Sequence, residues 1–317
     1  MEFSDSQINN NKIYNNRATY GGGGISIQIG SNPAISGNEI FYNRAKDGGG
    51  VMVSNSANTQ LRNNLLYKNS STGTTSGFLY SGGGAISLWG APILCENCTF
   101  YGNSAVVEGG AIQCAYTSGF VLRNCIFWAN TAASGTNIYL RFKQGSTEYP
   151  STMAAYYSDW DGGKPSVVVD ANCTFTWGTG NFSQDPLFAN TAEDDYHLRS
   201  HYGRWNSIVQ DWTTDLTTSP CIDAGDPASD WSDELWPHGE RINVGGYGGT
   251  AQASMSSSTL GNIADFDHDG KVDALDMEIL TDVWLSENLL LAPNLNRTGP
   301  INFLDVCIFA DNWLWTE

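Results

Sequence analysis

Apolar and polar residues alternate in short runs through the first half of the chain, as in Ile25-Ser26-Ile27-Gln28-Ile29. A period of two is that of a strand with one buried face. A glycine phrase punctuates the runs: Gly22-Gly23-Gly24-Ile25, Gly48-Gly49-Gly50-Val51, Gly83-Gly84-Ala85-Ile86 and Gly109-Gly110-Ala111-Ile112. A second phrase keeps step with it and reads apolar, aromatic, any, Asn, any, Ala. It occurs as Ile13-Tyr14-Asn15-Asn16-Arg17-Ala18, Ile40-Phe41-Tyr42-Asn43-Arg44-Ala45, Phe100-Tyr101-Gly102-Asn103-Ser104-Ala105 and Phe127-Trp128-Ala129-Asn130-Thr131-Ala132. Leu66-Tyr67-Lys68-Asn69-Ser70-Ser71 is a fifth copy that ends in Ser. The repeat Asn falls at 16, 43, 69, 103 and 130, in steps of 27, 26, 34 and 27.

A period in this range means stacked units, and the glycine runs oppose a helix. One repeat therefore predicts one coil of three short strands and three turns, with adjacent coils about 4.8 Å apart. Ile13, Ile40, Leu66, Phe100 and Phe127 then form an inward apolar ladder, and the repeat Asn residues form an amide ladder at a turn. The two phrases resemble the repeats of polymorphic outer-membrane proteins and other right-handed parallel β-helix proteins. That resemblance, not the spacing, implies the right hand. The expected fold is mainly β, a right-handed parallel β-helix solenoid followed by a small α-helical domain.

The long third step places an insertion of eight residues within 70–81, ending in Phe78-Leu79-Tyr80. Such insertions become loops, often on a binding face. Two residues before each repeat Asn stands an aromatic: Tyr14, Phe41, Tyr67, Tyr101 and Trp128. Their neighbours face inward, so these rings face outward as a stripe. Exposed, the stripe is a platform for sugar rings; otherwise the rings stabilise the sheet by stacking or lie under a loop.

Beyond residue 140 the repeat fades. Tyr156-Tyr157-Ser158-Asp159-Trp160-Asp161-Gly162-Gly163 and Asn181-Phe182-Ser183-Gln184-Asp185-Pro186-Leu187-Phe188 read as irregular last coils. Asp195-Tyr196-His197-Leu198, Ser219-Pro220-Cys221-Ile222-Asp223-Ala224-Gly225-Asp226-Pro227 and Arg241-Ile242-Asn243-Val244-Gly245-Gly246-Tyr247-Gly248-Gly249 follow. In this order they resemble the C-terminal end of a large group of secreted bacterial β-helix proteins, which implies a capping region and a β-helix domain over 1–249. Asp159, Asp161, Asp223, Asp226, His238 and Arg241 are the candidates for acid–base chemistry, but they sit in Gly- and Pro-rich turns, where Asp is a common turn residue. No single repeat coil carries clustered carboxylates with a basic partner. Residues 250–260, rich in Ser and Ala, predict a linker.

Residues 254–317 hold 11 of the 33 acidic residues and two of the 15 basic ones. Asp265, Asp267, Asp269, Lys271, Asp273 and Asp276 fall at positions one, three, five, seven, nine and twelve of a calcium loop, with Gly270 at the turn position six. The loop recurs 29 residues later as Asn294, Asn296, Thr298, Pro300, Asn302 and Asp305, and the helix endings Asp282-Val283-Trp284-Leu285 and Asp311-Asn312-Trp313-Leu314 match. The two loop–helix units over 261–317 resemble a type I dockerin, which implies calcium as cofactor and a cohesin-like protein partner. The second loop replaces three Asp with Asn, Asn and Thr, so its calcium binding is expected to be weak. The partner-selecting positions are apolar, Ala274-Leu275 and Phe303-Leu304.

Composition narrows the rest. A net charge of −18 argues against nucleic acid. No apolar run is long enough to cross a membrane. Seven Cys are present, and Cys98 and Cys125 occupy one repeat position, as a disulfide or as two small buried residues. Met1-Glu2-Phe3-Ser4 is not a signal peptide, and the first repeat begins near Asn11, so a longer protein with a capping N-terminal part is expected. The expected role is that of an extracellular or cell-surface modular protein, binding carbohydrate or acting in adhesion without catalysis. The alternative is a polysaccharide lyase or glycoside hydrolase carried by its dockerin.

Overall fold

The computed structural model describes residues 5–28, 30–55, 58–74, 81–90, 92–116, 119–144, 147–148, 150–258 and 260–317. The insertion's Phe78-Leu79-Tyr80 lies outside them. The chain divides into two compact units, Met1–Asp185 with Val244–Gly246, and Pro186–Asn243 with Tyr247–Glu317.

In the first unit three parallel sheets run the length of the coils. One has seven strands, from Gln7–Asn9 to Thr174–Trp177; the others have six each, from Lys12–Tyr14 to Asp159–Trp160 and from Ile25–Gln28 to Val167–Val169. Each strand pairs with the equivalent strand of the next coil. Ile13, Ile40, Leu66, Phe100, Phe127 and Trp160 stand in one register, so the coils form a parallel β-helix. The larger rings of this inward ladder stack flat, Phe100 on Phe127 at 4.6 Å and Phe127 on Trp160 at 4.4 Å.

The glycine phrase has a packing cause. A Cβ at Gly84 would lie 2.1 Å from Gly110 O, and one at Gly110 would lie 2.1 Å from Thr136 O. Backbone approaches backbone there, and only a residue without a side chain fits.

The amide ladder is continuous. Asn16, Asn43, Asn69 and Asn103 each donate from Nδ2 to the next repeat Asn at 3.0–3.1 Å, and each backbone N–H donates to the same oxygen. The second Nδ2 proton of Asn43, Asn69, Asn103 and Asn130 goes to the carbonyls of Ile13, Ile40, Leu66 and Phe100. A second column, which the repeat phrases do not reveal, links Asn11, Asn38 and Asn64 and then passes to Cys98. Cys98 and Cys125 donate to the carbonyl two residues back, as Asn38 and Asn64 do. They are buried free thiols, and Cys125 Sγ lies 3.9 Å from Cys95 Sγ. Val244–Gly246 crosses the outward row Leu65, Thr99 and Ile126, bonding Thr99 Oγ1 and Asn124 O.

The second unit contains two hairpins, Phe188–Asn190 with Asp195–Leu198 and Arg204–Asn206 with Asp211–Thr213, and two helices, α1 (Ala274–Asp282) and α2 (Phe303–Asp311). Ala264, Val272, Leu280, Leu295, Ile301 and Phe309 form the core around the helices. The stretch 250–260 is not the solvated linker its composition predicts. Ala253, Ser254, Met255 and Ser256 are buried. Met255 N–H donates to Gly203 O, Ser256 N–H to Pro237 O and Ser254 Oγ to Leu198 O. Small polar residues serve here because their hydroxyls satisfy buried carbonyls.

Replacing Asn103 by Leu should destabilise the coils by about 1–3 kcal/mol, because Asn69 and Asn130 each lose a buried amide partner. Urea unfolding of the variant checks this, with Asn9→Leu at an exposed position as the comparison expected to be near neutral.

Candidate functional site

The two loop–helix units repeat in backbone detail. Position four is left-handed in both, His268 at φ 57° and Arg297 at φ 56°, and so is position six, Gly270 and Gly299. Each helix starts with a capping box: Asp273 with Asp276, and Asn302 with Asp305. The position-twelve carboxylate of each loop therefore faces inward, accepting from Phe266 and Asp273 N–H in the first loop and from Asn296 and Asn302 N–H in the second.

In the first loop the carboxylates of Asp265, Asp267 and Asp269 each bring an oxygen within 4.8 Å of the others. Asp265 Oδ2 accepts from Gly270 N–H at 3.1 Å, while Oδ1 is buried with no partner. Burial pushes the Asp265 carboxyl above its ordinary pKa, against the pull of Gly270 N–H, and the charges of Asp276 and Asp267 push the same way. A buried acceptor without a donor costs about 1–3 kcal/mol, and a hard cation with oxygen ligands removes that cost. Asp273 Oδ1 is committed to Leu275 N–H, and Lys271 Nζ lies 3.8 Å from Asp269.

The second loop is arranged differently. Asn294 Oδ1 is again buried and without a partner. The other ligand positions are bonded to each other: Asn296 Oδ1 accepts from Thr298 N–H and Oγ1, and Asn302 Nδ2 donates to Pro300 O at 2.7 Å. Arg297, half-buried, supplies a positive charge beside them. It donates to Leu291, Asn294 and Trp236 carbonyls, and burial pushes its pKa down to about 10 although Asp305 draws it up. His268, the equivalent residue in the first loop, packs against Trp231 and His238. Burial pushes the His238 imidazole down to about 4, helped by His268. The role of position four was not visible in sequence, because it supplies no ligand in the loop pattern.

The aromatic stripe lies on the sheet from Lys12–Tyr14 to Asp159–Trp160, with Tyr14, Phe41, Tyr67, Tyr101 and Trp128 in register. Tyr14, Phe41 and Tyr67 stack at 4.9 and 4.7 Å, within 5° of parallel. Their faces are thus taken up by one another. Tyr67 is 3% exposed, with its hydroxyl on Glu39, whereas Tyr14 is 51% exposed. Sugar rings stack on aromatic faces, so the open end of the stripe is Tyr14 in its first coil; the exposed Tyr42, beside Phe41 in the second coil, lies outside the stripe.

The six acid–base candidates hold turns. Asp159 accepts from Gln184 N–H, Asp161 from Ala129, Asp223 from Gly239 and Asp226 from Ala228. Arg241 donates to Gly225 and Ala224 carbonyls, and His238 Nδ1 accepts from Glu240 N–H.

Residues 1–86 match a family model described as right handed beta helix region. The coils form a right-handed parallel β-helix. Residues 159–225 match a second model, described as disaggregatase related, which spans the end of the β-helix and the start of the second unit. No curated protein and no solved structure matches the chain. Among the described residues no helix is long and apolar enough to cross a membrane.

Arg297→Ala strands three carbonyls of the second unit and should lower stability by about 2–3 kcal/mol. Arg199→Ala, at an exposed side chain, should change it by less than about 0.5 kcal/mol. Paired urea unfolding curves measure the difference.

Proposed function

We propose that this is a modular β-helix protein whose C-terminal unit binds calcium and docks it to a protein partner, leaving the coils to meet a carbohydrate ligand. The carrying observation is that position one of both loops, Asp265 and Asn294, presents a buried oxygen with no donor. In the first loop three carboxylates converge on the same place; charge and oxygen ligands at that spacing suit calcium. In the second loop Arg297 already supplies positive charge, so the ion is strong in the first loop and weak in the second.

The docking surface follows from the duplication. Leu275, Trp284 and Leu285 are exposed on the first repeat, and Leu304, Trp313 and Leu314, each 29 residues on, are exposed on the second, with Phe303 beside them at 75%. Apolar side chains left in water at equivalent positions support a partner with an apolar contact surface, as the dockerin resemblance implies. Tyr14 is the exposed ring of the stripe that a sugar would meet. An extracellular or cell-surface location fits this reading.

Calcium titrated by calorimetry into the chelator-treated full chain should give one tight site. Asp267→Ala should remove it, and Asn296→Ala should leave it nearly unchanged. At a calcium concentration a hundredfold above Kd, unfolding should cost about 2.7 kcal/mol more than in chelator, provided the unfolded chain does not bind. Two equal sites, or none, would overturn the reading.

A further inference from the structure

A cavity of about 350 Å³ lies within the second unit. It is bounded by residues 232–236 and His238, by the first loop at Asp265, Phe266 and His268, and by residues 290–292. That volume falls in the ~300–1,000 Å³ range of small-molecule sites. Leu235, Trp236, Phe266 and Leu291 give it apolar walls. Asp233 and His268, which also line it, are exposed, so the cavity opens to solvent. A smaller cavity of about 120 Å³ meets it at His238, Asn262, Asp265 and His268, and adds Trp231.

Glu234 and His238 on this wall are each more than nine-tenths buried, and each keeps one polar atom unused. Glu234 Oε1 accepts from Asn243 and Gly249 N–H at 2.8 and 2.7 Å, while Oε2 meets no partner among the described residues. His238 Nδ1 accepts from Glu240 N–H at 3.4 Å. The ring proton is then on Nε2, and that N–H has no acceptor among the described residues. Buried polar groups in folded chains are paired, so one that is not points to a missing partner.

The charged groups of the cavity are engaged elsewhere. Arg297 donates to the carbonyls of Leu291, Asn294 and Trp236, and Asp265 Oδ2 accepts from Gly270 N–H within the first loop. Glu234 and His238 themselves are uncharged near neutrality. Burial pushes Glu234 up to about 8, against the pull of its two N–H donors, and pushes His238 down to about 4. With Oε1 accepting two bonds, the Glu234 proton sits on Oε2, which can then both donate and accept. The cavity thus offers hydrogen bonds without a free charge. An ionic ligand would give up its water and gain no counter-charge. A wholly apolar ligand would leave Glu234 and His238 unpaired. A sugar ring meets both demands: its hydroxyls donate and accept, and its C–H face packs on aromatic walls such as Trp236 and Phe266.

We propose that this cavity binds one neutral pyranose ring, held by Glu234 Oε2 and His238 Nε2. No bond is made or broken. The site draws on no residue of the coils and does not need calcium in the first loop. It shares with the reading above only the class of ligand.

The test offers the full chain glucose, galactose, mannose and N-acetylglucosamine, each free and at the non-reducing end of a tetrasaccharide. Galacturonate and glucosamine are the charged contrasts. Calorimetry gives Kd, and hydrogen exchange read by mass spectrometry locates the sugar on the unmodified chain. A neutral sugar should bind and slow exchange over 232–238, and the free and chain-end arms tell which source the site takes. His238→Phe keeps a ring in place and loses the Nε2–H, and Ala292→Phe fills the cavity from its wall. Each should raise Kd about tenfold or more, the size of one lost hydrogen bond. Tyr14→Ala, in the coils, should leave Kd within about twofold. Thermal melts check folding, and where a variant does not fold the exchange map decides. The proposal is overturned by no binding of any neutral sugar, by binding of galacturonate or glucosamine alone, or by unchanged affinity in a folded His238→Phe or Ala292→Phe chain. Slowed exchange confined to the coils, with binding lost in Tyr14→Ala, also overturns it and supports the aromatic stripe instead.

Discussion

A side-chain amide that bonds its own copy one coil away is the interaction on which the β-helix depends. Backbone bonds between coils fix the spacing, but they are indifferent to register by two residues. The repeat Asn is not. Its oxygen accepts two bonds from the preceding coil while its Nδ2 donates to the following amide and to a carbonyl of the preceding coil. A slipped coil would leave all of these groups buried and unpaired. Flat stacking of Phe100, Phe127 and Trp160 follows from the register the amides impose.

The coil architecture was legible because it repeats. The strand period, the glycine phrase and the Asn column each appear several times, and the structure places all three as expected. What stayed hidden was what occurs once per coil in different chemical guises. Asn11, Asn38, Asn64, Cys98 and Cys125 share one column, yet their identity changes midway. Asp47 and Glu108 share another with Gly21, Gly82 and Ser134, and reading four residues ahead of each repeat aliphatic would have found it. The stretch 250–260 misled for a related reason: Ser and Ala are also what a close-packed, hydroxyl-bonded segment uses.

The C-terminal duplication shows how one backbone accommodates two electrostatic solutions. The φ angles of both loops are left-handed at positions four and six, and both keep the position-twelve carboxylate on two backbone N–H groups, although only the first loop has carboxylates at positions one, three and five. In the second loop Asn296 accepts from Thr298, Asn302 donates to the Pro300 carbonyl, and Arg297 brings a positive charge from within the chain. The first loop keeps its like charges together, and both loops leave the position-one oxygen bare. Sequence alone ranked the loops by ligand charge; it did not show that Arg297 at position four donates to three backbone carbonyls.

The Asn ladder also has a direction. In each step from Asn16 to Asn130 the donor lies in the earlier coil and the acceptor oxygen in the later one; Asn130 then donates to Asn137 in its own coil, and Asn137 to Ser166 in the next. Every amide therefore points its oxygen toward the first coil and its nitrogen toward the last. Strand dipoles in a sheet largely cancel, but these do not. The β-helix carries a row of aligned amide dipoles along its axis, with the negative end at the first coil, so its two ends differ in electrostatic character even where their backbones are alike.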